Sequence, residues 1–193
     1  MNNLNCVGYI PMLAFIVHKL NMMSKLILNR ILAFGIDYLI IIGYGVVLFA
    51  ITTTIGVVSL SPLEGQIVGF ISLTLPVYLY FYLMEKSSLA ATLGKRVMNI
   101  SVQTQTENIR YGVLFRNILK FLPWEIAHLG VHWIIYYSGI GEATPIWVWV
   151  ALILPQVIVL GYILSIVFYE GESSLYDKIA NTKIVLNQHK TSN

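Results

Sequence analysis

Charge is what this sequence has least of. Of its 193 residues only 11% are Asp, Glu, Lys or Arg, and 57% are hydrophobic. Soluble domains carry about 25% charged residues, so the balance excludes an ordinary soluble protein and points to a chain that lives in a lipid bilayer. A single cysteine, Cys6, excludes an internal disulfide and a cysteine-based zinc site. No basic region followed by an apolar run and an Ala-x-Ala site opens the chain, so no secretory signal is expected. The apolar run 7–17 is broken by Pro11 and is too short to span. Nothing resembles a phosphate loop, because Gly94-Lys95 lacks the earlier glycine of a Walker motif. No nucleophile stands with a base and no basic nucleic-acid surface is present. The expectation is a protein that is not an enzyme, carries no cofactor and binds no nucleic acid.

What is abundant is long apolar sequence. Four runs can cross a bilayer, at about 31–58, 66–84, 113–139 and 145–168. Turn-like residues at 61–65 and 139–145 join them in pairs. The fold expected is an all-α membrane protein of four transmembrane helices arranged as two hairpins. Stretches 97–103 and 182–186 alternate like strands and predict a small cytoplasmic β element. Residues 25–187 form the transmembrane domain and 188–193 a tail. Residues 1–24 read as an extension outside the native fold, either an interfacial segment or sequence upstream of a start at Met22 or Met23.

All 12 Lys and Arg residues fall before the first run, between the second and third or in the opening turns of the third, or after the fourth, whereas Glu64 and Glu142 stand alone in the opposite turns. The positive-inside rule then places both termini and the central loop in the cytoplasm, in a multi-pass membrane protein. Tyr136, Tyr137, Trp147 and Trp149 read as interfacial anchors. Gly35, Gly43 and Gly45 read as close-packing points in the first span.

Within the first span Asp37 is the sole charged residue from Ile31 to Val58, and Arg30 precedes it by two helical turns. A carboxylate at the centre of a membrane helix costs about 2.5–3.5 kcal/mol on insertion scales. Arg30 and Asp37 share a helix face about 10 Å apart along the axis, so a third group is needed to link them. An internal repeat extends the pattern. Residues 92–102 align without gaps to 174–184, matching Thr92 with Ser174, Leu93 with Leu175, Asn99 with Asn181 and Val102 with Ile184. Arg30 before the first span then corresponds to Arg116 before the third, and Lys95 to Asp177. Two same-oriented copies imply a pseudo-two-fold axis along the membrane normal.

With these residues in view the chain resembles the RDD family of small bacterial membrane proteins, named for one arginine and two aspartates. Arg30, Ala33 and Asp37 match its opening Arg-x-x-Ala-x-x-x-Asp. Thr92, Gly94, Lys95 and Arg96 match its Thr-x-Gly-Lys-Arg, and Arg116 its later arginine. Asp177, Ala180, Thr182 and Val185 or Ile184 match its closing motif. Tyr176 stands where the family often has His, and Asn181 where it often has Gly, so a proton-handling role for that His does not apply here. The resemblance implies a network of Arg30, Asp37 and Asp177. It also implies transport of a small cation, in exchange for protons, as in some members.

Two readings of the network follow. In the leading one Asp37 accepts a proton or cation and Arg30 tunes it. Four spans make a thin wall for a pathway, so a transporter is expected to be a homo-oligomer. In the alternative the network is structural and the protein is a non-transporting accessory or assembly protein whose partner is the bilayer. Glu125, His128 and His132 form a secondary group, at positions that share one helical face. A metal site there is not expected, since carboxylate-bridged metal bundles need a second such motif and two further Glu residues. Pro123 favours a break that leaves residues 114–125 along the interface.

Overall fold

The computed structural model describes residues 9–55, 61–105 and 108–187. The fold is mostly helical. Helix α1 runs from Tyr9 to Ile55, and α2 (Pro62–Gly69) continues through a π-helical turn, Phe70–Thr74, into α3 (Leu75–Lys86). The short α4 (Leu93–Val97) leads to strand β1 (Ile100–Thr104). Helices α5 (Ile109–Gly139) and α6 (Ile146–Phe168) form the second hairpin, followed by α7 (Leu175–Ile179) and β2 (Thr182–Leu186). Three helical stretches are long and apolar enough to cross a membrane: Val17–Thr54, Pro62–Lys86 and Ile146–Phe168. Together they describe a multi-pass membrane protein, and their outward side chains are apolar, as at Ile146 and Phe168, both more than four-fifths exposed.

Helix α5 is the long helix missing from that set, because Arg116, Lys120, Glu125, His128 and His132 dilute its apolar surface. It does not break at Pro123. Proline removes the N–H that would bond the carbonyl four residues back, here that of Leu119, and the Tyr162 hydroxyl of α6 donates to that carbonyl at 3.1 Å. The expected interfacial segment 114–125 is therefore the first half of a continuous helix. A parallel device serves Pro76, whose missing N–H frees the Ser72 carbonyl; the Tyr44 hydroxyl of α1 donates to it. The expected turn at 61–65 is also helical. Ser61 caps α2 in a reciprocal capping box with Glu64, with Pro62 in the first turn.

Residues 9–24 continue α1, and the Lys19 ammonium pairs with Glu170 beyond α6 at 2.8 Å. Only one face of α1 turns inward: Leu26, Asn29, Arg30, Ala33 and Asp37 are buried, at the three-and-four spacing of one helical stripe. That stripe packs on α4 and the sheet, and Asn29 donates to the Met98 carbonyl at 2.9 Å. Gly35, Gly43 and Gly45 face open space with nothing within 4 Å of an added Cβ. They are not packing points within the chain. Close approaches occur instead at Gly94 against α1, Gly130 against Leu152 of α6, and Gly65 against His132 of α5.

Strands β1 and β2 pair antiparallel, with Val102 opposite Ile184 and Ile100 opposite Leu186. Strand β2 begins and ends where its alternation predicts. Strand β1 starts at Ile100 and not at residue 97, because α4 consumes Val97 and Asn99 then takes a left-handed φ of +53°. Ile100, Val102 and Ile184 join Leu26 and Ala33 of α1 in the apolar core.

The repeat is visible in the backbone. Thr92 and Ser174 each cap a five-residue helix, accepting from the N–H of Lys95 and Asp177. Asn99 (φ +53°) and Asn181 (φ +50°) then turn the chain into β1 and β2. Val102 N–H donates to the Ala90 carbonyl at 2.8 Å, and Ile184 N–H to the Glu172 carbonyl at 2.7 Å. Since Val102 pairs with its own counterpart Ile184, a local two-fold axis passes between them.

Candidate functional site

Buried charge concentrates where α4, α7 and the sheet meet the ends of the long helices. Asp177 is the third residue of α7, fully buried, and holds both arginines of the repeat. Its Oδ2 accepts from Arg30 Nη2 at 2.8 Å and its Oδ1 from Arg116 Nη1 at 2.9 Å. The Ser174 N–H and hydroxyl complete Oδ2 at 2.9 and 2.8 Å, and Thr182 Oγ1 approaches Oδ1 at 3.2 Å. Arg30 also donates from Nη1 to the Gly171 carbonyl at 2.8 Å. Burial alone would raise the Asp177 carboxyl, yet the Arg116 and Arg30 guanidiniums and the Ser174 N–H hold it below its ordinary value.

Arg116 bridges to a second buried carboxylate. Its Nε lies 3.5 Å from Glu85 Oε2 at the end of α3, and Glu85 also accepts from Lys95 Nζ and, at 3.0 Å, from Asn117 Nδ2. Burial pushes the Lys95 ammonium below its ordinary value, with Glu85 opposing that shift. The resulting chain of charges, Arg30–Asp177–Arg116–Glu85–Lys95, ties α1, α3, α4, α5 and α7 at one end of the bundle.

Asp37 lies on the same face of α1 but belongs to a different arrangement. Its Oδ1 accepts from the Tyr80 hydroxyl at 2.8 Å and the Gly94 N–H at 2.9 Å, and its Oδ2 from the Thr92 hydroxyl at 2.6 Å. Tyr80 in turn accepts from the Leu93 N–H at 3.1 Å. Asp37 thus receives the exposed N–H end of α4, an orientation that suits a carboxylate. Gly94 is required for the approach, since a Cβ there would stand 2.1 Å from the Ala33 carbonyl oxygen. Among the described residues no ion pair joins Arg30 to Asp37. Arg30 and Asp177 come together, and Asp37 stands apart from them.

Arg116, read from the sequence as the repeat partner of Arg30 and as the later arginine of the motif pattern, is the hub. Glu85 is the residue that sequence reasoning passed over. The signal for it was an ionisable group at the last turn of an apolar run, with a basic residue ten positions on in the Gly-Lys-Arg motif. Glu125, His128 and His132 lie elsewhere, about 14 Å or more along α5 from Arg116. Glu125 accepts from Gln66 of α2 at 2.8 Å, with His128 Nδ1 at 3.9 Å, and His132 packs on Gly65. Among the described residues no group of three His, Cys, Asp or Glu side chains could hold a metal ion.

Beside the charge chain lies a cavity of about 660 Å³ between α1 and the layer of α3, α5 and α6. Arg30, Asp37, Lys95, Arg116, Lys120 and Tyr176 line it at the charged end, and mostly apolar side chains, with Thr74 and Gln156 among them, line the rest. Tyr176 stacks edge-on against Tyr162 and lies under the Arg116 guanidinium at 5.2 Å.

Comparison with known families finds that a model of the RDD family matches residues 25–181. No curated protein and no solved structure matches the chain.

Proposed function

The chain belongs to the RDD family, and on that premise we propose that it is a four-span inner-membrane protein whose buried charges are a structural lock. It then acts as an accessory or assembly protein, not as a transporter or an enzyme. Helix α5 is the fourth span. Its start shares an end of the bundle with the end of α3 and the end of α6, as the Glu85 and Asp177 contacts of Arg116 require. That end carries the basic residues, which supports a cytoplasmic location for it.

One observation carries the reading: the bonding of Asp37. A coupling carboxylate must release and take up its ion, yet Asp37 is 2% exposed and holds three donors. Those donors occupy three of its four lone-pair sites and leave one for a cation. The two remaining buried carboxylates are each held by two cations, the arrangement that makes buried charge tolerable.

A second reading, small-cation transport in exchange for protons with Asp37 as the coupling group, has one observation in its favour. Asp37 lines the cavity. Reconstitution into liposomes separates the two. The lock reading expects no proton movement under a sodium or lithium gradient. It also expects Asp37→Asn to keep the fold, because Asn retains an acceptor for two of the donors. Asp37→Ala leaves three donors unpaired, two of them buried, at about 1–3 kcal/mol for each buried one, and should lower the melting temperature sharply. Proton flux in the wild type that disappears in a folded Asp37→Asn variant would overturn the lock and restore the transporter.

A further inference from the structure

Lys120 is the cation that the lock leaves over. Four cations line the cavity, namely Arg30, Lys95, Arg116 and Lys120. Three carboxylates lie in or behind its wall: Asp37, Glu85 and Asp177. One positive charge is in excess. Arg30, Lys95 and Arg116 are tied to Asp177 and Glu85. Among the described residues Lys120 has no ion pair and no hydrogen bond, and its Nζ stands 3.4 Å from the centroid of the Phe81 ring. A ring face attracts an ammonium but leaves its charge uncancelled. An ammonium so placed beside apolar walls is stabilised by pairing with an anion.

The cavity also has the form of an amphiphile site. Its lining runs from Arg30 to Ile41 on α1, from Arg116 to Ala127 on α5, and from Pro155 to Ile166 on α6. Each stretch is about 16 Å long, roughly half the ~30 Å hydrocarbon core of a bilayer. The cations sit at one end of this length, and Ile41, Leu73, Ala127 and Pro155, interrupted by Thr74 and Gln156, at the other. The volume of about 660 Å³ falls in the range of small-molecule sites. We infer that the cavity holds an anionic phospholipid, its singly charged phosphodiester paired with Lys120 and one acyl chain laid along the apolar length. The inference goes beyond the lock and does not require it.

The test is native mass spectrometry of the full chain in mild detergent, offered phosphatidylglycerol, phosphatidylethanolamine and palmitate in equal amounts. The wild type should retain phosphatidylglycerol in preference to the other two. Lys120→Met should lower that retention about tenfold, the scale of one charge-assisted bond, while Lys120→Arg keeps it. Ala127→Trp fills the apolar end without touching the charge, and should expel the lipid even if Lys120→Met fails to fold. Equal retention of the two phospholipids, preference for palmitate, or undiminished binding by both a folded Lys120→Met and Ala127→Trp would overturn the assignment. The readout is made in micelles and does not depend on which end of the protein faces the cytoplasm.

Discussion

Residues 92–104 and 174–186 fold into the same device: a hydroxyl cap, a five-residue helix, a left-handed asparagine and a strand. At the third helical position, however, the first copy carries Lys95 and the second Asp177. Near a two-fold axis identical charges would face each other and repel. Opposite ones attract, and the Asp177 charge does act on Lys95. The copies also reach for different helices. The first presents its helix N-terminus to Asp37 on α1 and its Lys95 to Glu85 at the end of its own hairpin. The second presents Asp177 to Arg30 of the opposite hairpin and to Arg116 of its own. Shape is shared between the copies, and charge is divided so that one cluster serves both.

The sharpest way to break this comparison is to remove the two charges in turn. Asp177→Ala leaves buried Arg30 without a carboxylate and Arg116 with Glu85 alone, and losing one partner of a buried pair costs about 3–5 kcal/mol. Lys95→Met leaves Glu85 with Arg116 and Asn117, and should cost about 1–3 kcal/mol. Thermal unfolding in detergent, followed by circular dichroism, compares them. Equal losses would mean that the second copy does not carry the cluster. The same pair has a pH signature. Because the Asp177 carboxyl is held below its ordinary value, its stabilisation is complete above that value and is lost as pH falls through the lower folded one. Wild-type melting temperature should therefore drop below about pH 4, and Asp177→Asn should flatten that acid limb.

A smaller asymmetry lies one residue earlier. Gly94 lets the first copy press its backbone against α1, whereas the second copy has Tyr176 turned into the cavity. Gly94→Ala must push α4 off the Ala33 carbonyl, an overpacking cost of about 1–3 kcal/mol or more, since backbone cannot move aside like a flexible side chain. It should also loosen Asp37, read as faster hydrogen exchange at Gly94 and its neighbours. Tyr176→Ala forfeits its contacts with Tyr162 and Arg116, worth about 0.5–1.5 kcal/mol. A harmless Gly94→Ala would show that the close approach is not what docks the first copy.

Much of this was legible beforehand because membrane sequences advertise their exceptions. The inward stripe of α1 is the Arg-x-x-Ala-x-x-x-Asp spacing itself, since every other face is apolar and looks outward. The strand of residues 182–186 showed in its alternation, and the repeat showed in matched caps and asparagines. What stayed hidden depends on partners distant in sequence. The spacing of Arg30 and Asp37 suggested one shared network, but which carboxylate an arginine reaches is decided by where α7 lands. The continuity of α5 through Pro123 depends on a tyrosine 39 residues later, on another helix. Glu85 is flanked by Met84 and Lys86 and so reads as an ordinary span end until Arg116 and Asn117 are folded against it.

The least costly test isolates the part of the comparison that should be symmetric. Asn99 and Asn181 have φ of +53° and +50°, a region in which a Cβ crowds the following carbonyl. Their carbonyls accept equivalent bonds, from Asn187 N–H at 2.9 Å and Gln105 N–H at 2.8 Å. Asparagine tolerates the conformation through its short polar side chain, and alanine pays about 1–2 kcal/mol. Asn99→Ala and Asn181→Ala should therefore lower stability by equal amounts, and glycine at either position should restore most of the loss. Since charge plays no part at these positions, the pair reads the backbone repeat alone. A difference between the two beyond about 0.5 kcal/mol in matched detergent melts would show that the copies agree in shape without agreeing in energy, and the division of labour would then extend beyond Lys95 and Asp177.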